Sequence, residues 1–337
     1  MTMLAKAVVA VERGRVAFET VTVPEPGRED VVVRLTHSWI SNGTEGSFVR
    51  GERIGGDTPR AETDPLPFPH VPGYQKVGIV ESIGADVSHV VVGDTVFATV
   101  SQVQGMFYPS GGHVSPAVTH KSQVWKLPGD VDPVAASGLV LTQVGYNVGQ
   151  CPALKPGDAA VVIGDGMVGQ WAAQTLKHRG ARVLMLGKHT ERLRLFDAGP
   201  EDHRVNIRET DVVESVRDWA GRSVQVVADT VGSMPTVLSL FPLMRRFSQF
   251  VSAGFYGHAG KIDVQKMRDY EMTLWTPAGW TGDRMDRTLE LLQQGVLRTL
   301  PLITHHFPVS QAGEAFDLIL SRRAPVLGVI LDWEEVS

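Results

Sequence analysis

Residues 159–169 read Ala159-Ala160-Val161-Val162-Ile163 and then Gly164-Asp165-Gly166-Met167-Val168-Gly169, a short apolar run that enters a G-x-G-x-x-G turn. An unbroken apolar run of this length, closed by glycine, is the pattern of a strand buried on both faces. In such a turn the first glycine permits a tight reversal and the second lets peptide N–H groups approach a pyrophosphate. The third lets the next helix pack closely on the strand, and that helix presents its partial positive charge to the anion. Glycines cluster in many turns, so the flanks decide. Residues 170–179 continue at helical spacing, and residues 181–186 (A-R-V-L-M-L) read as a second strand. Gly164, Gly166, Met167, Val168 and Gly169 are therefore the expected phosphate-binding residues of a dinucleotide site.

The end of the second strand bears on which dinucleotide is bound. NAD-binding chains usually carry an Asp or Glu about twenty residues past the first glycine, where it accepts hydrogen bonds from the ribose hydroxyls. This chain instead reads Leu186-Gly187-Lys188-His189-Thr190-Glu191-Arg192. With Gly187 in place of a carboxylate, and with Lys188 and Arg192 able to pair with a ribose 2′-phosphate, NADP(H) is expected over NAD(H). The competing reading makes Lys188 and Arg192 solvated charges at a helix start, with Glu191 turned inward.

Composition sets the outer limits. At 337 residues the chain exceeds one ordinary core and predicts two domains. A net charge of −5 without a basic cluster argues against nucleic acid as a partner. No apolar run approaches the roughly 20 residues needed to cross a bilayer. The start Met1-Thr2-Met3-Leu4-Ala5-Lys6 lacks a signal-peptide core, so a cytoplasmic location without membrane contact is expected. The single cysteine, Cys151, excludes an internal disulfide and a cysteine-based structural zinc cluster.

Along the chain, residues 5–132 show short β runs (5–11, 30–36, 76–83, 95–100) between loops rich in proline and glycine, and the proline-dense stretch 57–72 reads as a stiffened surface loop. From about residue 139 strands and helices alternate, with strand patterns at 159–163, 181–186, 204–207, 224–229 and 247–253. Such alternation implies an α/β fold with a parallel sheet covered on both faces. An amphipathic helix over 283–294, a helix over 310–320 and a strand over 326–331 complete the reading.

Several segments carry a family resemblance. Val71-Pro72-Gly73-Tyr74-Gln75-Lys76-Val77-Gly78-Ile79-Val80 resembles the G-H-E-x-x-G-x-V signature of the medium-chain dehydrogenase/reductase superfamily. Val91-Val92-Gly93-Asp94-Thr95-Val96, Gly111-Gly112-His113, Leu154-Lys155-Pro156-Gly157-Asp158 and Leu302-Ile303-Thr304-His305 match it further, in the family's order. The resemblance implies a β-rich GroES-like catalytic domain built from residues 1–139 and 277–337. A Rossmann domain, a doubly wound parallel sheet over residues 140–276, is inserted between them, with a cleft where nicotinamide meets substrate. It further implies that Thr142, Thr230, Ala253 and Gly254 contact the nicotinamide half of the cofactor, and that the chain forms a homodimer. Phe107, Tyr108, Phe255, Tyr256, Trp275 and Trp280 fall in segments that border the cleft in relatives and offer an apolar pocket for a ring-bearing small molecule; core packing is the competing role.

The comparison also exposes a departure. Zinc-dependent members hold the metal with a cysteine near the third strand, the histidine of G-H-E, and a Cys, Asp or Glu shortly before the nucleotide domain. Here those regions read Ile40-Ser41-Asn42-Gly43-Thr44-Glu45 and Gly73-Tyr74-Gln75, while residues 134–149 contain no Cys, Asp, Glu or His. Catalytic zinc needs about three nitrogen, sulfur or carboxylate ligands, so neither a catalytic nor a structural zinc is expected.

Without a metal, charge developing on a carbonyl oxygen must be met by hydrogen-bond donors or a proton carrier. Thr44 matches the Ser/Thr that relays a proton in alcohol-oxidising relatives, and Tyr74 stands where the metal histidine would be. Its phenol becomes a useful donor if a nearby nicotinamide or cation lowers its pKa. Glu45 and Gln75 complete the candidates. Each has a structural alternative: Thr44 opens a turn, Tyr74 fills the space of the lost metal, Glu45 pairs with an arginine. His37, His70 and His113 belong to the same domain. The expected function is a zinc-independent NADP(H)-dependent oxidoreductase acting on a hydroxyl or carbonyl, resembling the bacteriochlorophyllide hydroxyethyl dehydrogenases and the sorbitol/threonine dehydrogenase branch. The alternatives are a quinone or enone reductase and a catalytically inactive nucleotide-binding relative.

Overall fold

The alternating run from Leu4 to Val11 folds as β1 (Thr2–Glu12), and β2 (Arg15–Pro24) returns antiparallel to it through a turn at Gly14. The β-branched segment V-V-V-R-L-T-H-S-W-I makes β3 (Asp30–Ile40), which leads directly into a six-residue helix, α1 (Thr44–Val49). Next come β4 (Lys76–Ile83), β5 (Thr95–Ala98), β6 (Ala117–His120) and β7 (Val124–Lys126). The computed structural model describes residues 2–334, so the last residues of the 277–337 segment lie outside the described part.

The second unit spans Leu141–Arg298. Its elements are α2 (Leu139–Gln150), whose first two residues belong to the first unit, then β8 (Ala159–Ile163), α3 (Met167–His178), β9 (Arg182–Gly187) and β10 (His203–Asn206). They continue with α4 (Val212–Ala220), β11 (Val224–Asp229), α5 (Met234–Leu240), β12 (Met244–Ser252), β13 (Thr273–Trp275) and α6 (Gly282–Gln293). The strands form one parallel sheet in the order β10-β9-β8-β11-β12-β13. Strand pleating divides their side chains between two cores. Val161, Ile163, Leu184, Leu186 and Phe250 join one, whereas Ala160, Val162, Val183, Met185 and Val251 join the other. Strand order reverses between β8 and β11, the place where such sheets open a ligand crevice at their carboxyl ends.

The chain then returns to the first unit with β14 (Ile303–Pro308), α7 (Ala312–Ser321) and β15 (Gly328–Asp332). β15 inserts beside β3, giving the order β7-β5-β4-β3-β15-β14, with β6 also paired to β3. Segments from before and after the parallel-sheet unit therefore build this unit together.

Three sequence expectations are corrected. The switch back to the first unit comes at Thr299 and not at residue 277. The intervening helix α6 and its tail belong to the parallel-sheet unit, held by Trp171 Nε1 donating to Arg298 O (3.2 Å) and Arg298 N donating to Gln174 Oε1 (2.9 Å). The strand expected at 247–253 begins earlier, at Met244, and is broken by a register shift where Phe247 takes a left-handed φ of 62°. The loop 57–72 is not wholly superficial: Pro67 and residues 70–72 are buried, with His70 exchanging backbone hydrogen bonds with Ala10. Among the described residues, no helix is long and apolar enough to cross a membrane.

Candidate functional site

In the first unit the turn from β3 into α1 gathers the polar candidates. Glu45 N donates to Ser41 O (2.8 Å) while Ser41 N donates to Glu45 Oε1 (2.7 Å), a reciprocal pair that locks the turn and turns the carboxylate inward. Glu45 is 1% exposed. Its other oxygen, Oε2, lies 2.9 Å from Nε2 of the fully buried His113, so its partner is a histidine and not an arginine. His113 Nδ1 meets Ser38 Oγ at 2.8 Å, and Trp333 Nε1 donates to the same hydroxyl at 2.8 Å. His113 reaches Glu45 by crossing Gly73, whose φ is 89° and where a Cβ would stand 2.6 Å from the imidazole Nε2. Among the described residues this is a continuous buried chain: Trp333, Ser38, His113, Glu45, Ser41.

Tyr74 closes the chain from above. Its hydroxyl donates to Ser41 Oγ at 2.7 Å, and the Thr44 side chain is a further hydrogen-bond partner. The structure thus brings together Tyr74, Thr44 and Glu45, with Ser41 between them. Burial, with a smaller contribution from the Glu45 charge, pushes the Tyr74 phenol up to about 12, and the Ser41 and Thr44 hydrogen bonds and the Arg53 charge only partly offset this. Of the two groups expected to lower it, the cation present, Arg53, does not outweigh the loss of solvent. Gln75 faces elsewhere: it is fully buried and donates from Nε2 to Trp39 O at 3.2 Å. His37 lies 3.6 Å from Asp332 on the neighbouring strand, and His70 sits among Phe48, Phe68 and Tyr108.

These residues do not compose a zinc ligand set. Both Glu45 oxygens are committed, Tyr74 is a protonated phenol bound to a serine, and the Gln75 amide serves the backbone. Among the described residues, no group of three or more His, Cys, Asp or Glu side chains is arranged to hold a metal.

In the second unit the glycine turn lies between β8 and the N-terminus of the twelve-residue helix α3, with Met167 and Val168 in its first turn. Gly164 has φ 122°, and Gly169 packs so closely that a Cβ would stand 2.1 Å from Gly164 O. A side chain at Gly166 would meet no atom of the chain within 4 Å, so glycine there suits a ligand's approach and not internal packing. Thr230 comes to the same turn, its Oγ1 donating to Ile163 O at 2.9 Å. Buried Asp229 fixes the adjacent loop by accepting the N–H groups of Val231, Gly232 and Ser233 and the Tyr256 hydroxyl. Ala253 N donates to Asp229 O, and a Cβ at Gly254 would lie 2.0 Å from Gly232 N. Thr230, Ala253 and Gly254 therefore line adjacent carboxyl ends of the parallel strands, whereas Thr142 is fully buried in α2. At the end of β9, Lys188 is exposed and Arg192 is drawn towards Asp165. Glu191 is exposed and does not turn inward.

Two family profiles match the chain: alcohol dehydrogenase GroES-like domain over residues 27–129, and zinc-binding dehydrogenase over residues 168–292. The chain belongs to the zinc-type alcohol dehydrogenase-like medium-chain dehydrogenase/reductase superfamily. It is 26% identical over 334 residues to the 2-desacetyl-2-hydroxyethyl bacteriochlorophyllide A dehydrogenase of Cereibacter sphaeroides, covering 95% of each chain. A dehydrogenase from Sinorhizobium meliloti 1021, solved bound to NADP, superposes with TM-score 0.83 at 20% identity, over 98% of this chain and all of the other. A short chain alcohol dehydrogenase from Escherichia coli CFT073, solved with NADH, gives TM-score 0.83 at 19% identity, covering 98% and 99%.

Sequence reasoning missed Ser41 as the partner of Tyr74, the joining of His113 to Glu45, and Asp165. The superfamily alignment could have pointed to Ser41, which stands in the first metal-ligand region. Asp165 stands between two glycines, and no local pattern marks it, because its partners lie past the end of β9.

Phe107 and Tyr108 pack edge to face at 4.9 Å within the first unit, Tyr256 is tied to Asp229, and Trp275 is 38% exposed with Nε1 donating to Gln249 Oε1. Trp275 is thus not a core residue.

Proposed function

We propose that this chain is a zinc-independent, NADP(H)-dependent oxidoreductase that interconverts a hydroxyl and a carbonyl on a small, ring-bearing substrate. The observation that carries the reading is the Tyr74 hydroxyl bonded to Ser41 Oγ, at the position where metal-using relatives have a histidine. Gly164, Gly166, Gly169 and the first turn of α3 would hold the pyrophosphate, and Lys188 with Arg192 would face a ribose 2′-phosphate. A bound nicotinamide dinucleotide supplies or takes the hydride. Tyr74 holds the proton: with its pKa up at about 12 it stays a neutral donor at neutral pH and can meet charge developing on a carbonyl oxygen. Ser41 and Thr44 supply hydroxyls next to the phenol, suited to returning the proton. Glu45 and His113 position Ser41 and do not themselves act on substrate.

Three measurements on the purified protein test this. Metal analysis should give no stoichiometric transition metal. Titration should show tighter binding of NADPH than of NADH. Tyr74→Phe and Thr44→Val should each depress carbonyl reduction. Turnover with quinones and enones but not ketones would move the assignment to C=C reduction, and no turnover with any of them would leave a nucleotide-binding protein. A homodimer is also proposed. β13 is a sheet edge bearing Leu274 and Trp275, 39% and 38% exposed, which supports two-fold pairing along that edge; Leu274→Lys should then lower the mass seen by light scattering.

A further inference from the structure

Asp165 is the variable residue between the first two glycines of the turn, and its side chain runs across the sheet to the end of β9. There Oδ2 accepts the N–H groups of Lys188 and His189 at 2.8 Å each and meets His189 Nδ1 at 3.1 Å. Oδ1 lies 3.7 Å from Arg192 Nη1. The residue is 6% exposed. Gly187 makes room for it: a Cβ there would stand 2.6 Å from both Asp165 Cβ and Oδ2. The strand end that lacks a carboxylate in the sequence therefore carries one, delivered from the glycine turn.

This changes the charge account at that position. Lys188 and Arg192 are the cations assigned above to a 2′-phosphate, and Asp165 already stands among them. A carboxylate oxygen accepts hydrogen bonds from ribose hydroxyls but repels a phosphate dianion placed against the same groups. We propose that Asp165 is a specificity-determining residue that sets the balance between phosphorylated and unphosphorylated nicotinamide dinucleotides. It does so by weakening the preference for the 2′-phosphate that Lys188 and Arg192 would give alone, and Gly187 is the residue that admits it. The inference rests on the nucleotide-binding reading above and deepens it.

The test is the ratio of NADH to NADPH dissociation constants, measured by titration of the full-length protein at one fixed salt concentration. Asp165→Asn keeps the shape and one acceptor oxygen while removing the charge, and should raise that ratio at least about tenfold. Gly187→Ala pushes the carboxylate off the strand end by a separate route and should move the ratio the same way, so the idea stays testable if one variant does not fold. Arg192→Ala should move it the other way. A ratio within twofold of the parent in both Asp165→Asn and Gly187→Ala overturns the proposal. If the parent prefers NADH but Asp165→Asn still raises the ratio, the NADP(H) preference falls and the role of Asp165 stands. If the parent prefers NADPH and Asp165→Asn changes nothing, the reverse holds. A parent that binds neither nucleotide removes both.

Discussion

The glycine turn of the second unit and the polar cluster of the first solve their problems with different materials. The turn is made of backbone. Gly164 takes a φ of 122°, and Gly169 leaves no room for a single carbon against Gly164 O. The cluster is made of side chains drawn from Ser38, Ser41, Glu45, Tyr74, His113 and Trp333, the most distant pair separated by 295 positions. A backbone-built site fails by overlap, whatever is inserted. A side-chain-built site loses one hydrogen bond at a time, so its substitutions should be graded.

The largest effect expected from this contrast is at Gly169. Gly169→Ala places a carbon 2.1 Å from Gly164 O, which can be relieved only by moving α3 off β8. It should destabilise the protein by about 3 kcal/mol or more in urea unfolding and abolish nucleotide binding in the same titration. A variant that binds NADPH with native stability would break the contrast outright.

The cluster should behave otherwise. Tyr74→Phe should lower kcat for carbonyl reduction by roughly 10²–10⁴-fold while leaving the NADPH dissociation constant within about twofold, since the nucleotide reading draws on none of its contacts. The pH profile checks the same group. Its folded pKa is raised from an ordinary value near 10 to about 12, so the neutral phenol persists through neutral pH. The stability it contributes is complete below about 10 and is lost as pH rises through about 12. An alkaline limb near neutrality that disappears in Tyr74→Phe would count against this.

The same contrast explains what could be read in advance. Gly164, Gly166 and Gly169 are legible because local backbone geometry demands them within six positions, and the alternation of strands and helices fixes the sheet that carries them. The cluster is only half legible. Thr44, Glu45 and Tyr74 are found by their places in a family pattern, but which groups they bond depends on His113 and Trp333 arriving from segments distant in sequence, and no local spacing encodes that. Asp165 is hidden for a related reason: its partners, Lys188 and His189, lie just past the end of the next strand.

Lys76, next to Gln75, shows the cost of building with buried side chains. It is fully buried, its amine hydrogen-bonds Thr99 O, and burial pushes its pKa down to about 7. Above about 10.5 neither state binds the proton. As pH falls towards about 7 the unfolded chain takes it up and the native chain does not, so stability drops; below about 7 the loss levels off. The cost at pH 7 is on the order of 4 kcal/mol. Lys76→Met removes it but leaves Thr99 O without its partner, worth about 1–3 kcal/mol. A net gain of roughly 2 kcal/mol is expected at pH 7 by urea unfolding, turning into a net loss of roughly 1 kcal/mol near pH 9.5, where the cost of the neutral amine has fallen by roughly 3 kcal/mol. A gain independent of pH would mean that the amine is not the cause.

The smallest effect lies where the backbone-built unit departs from its own rule. Phe247 sits at φ 62° without being glycine, where the register of β12 shifts against β11. Left-handed backbone costs a non-glycine residue about 1 kcal/mol. The side chain recovers little, since it is 59% exposed and the Arg246 guanidinium stands over its ring, 5.2 Å from the centroid. The backbone there is fixed independently, by Phe247 N donating to Tyr270 O and Phe247 O accepting from Gln225 Nε2. Phe247→Gly keeps both bonds and removes the strain, so it should raise stability by about 0.5–1 kcal/mol. Phe247→Ala, which keeps a Cβ and loses the ring, should give no gain. If alanine stabilised as much as glycine, the benefit would come from removing an exposed aromatic, and the φ of 62° would carry no energetic weight.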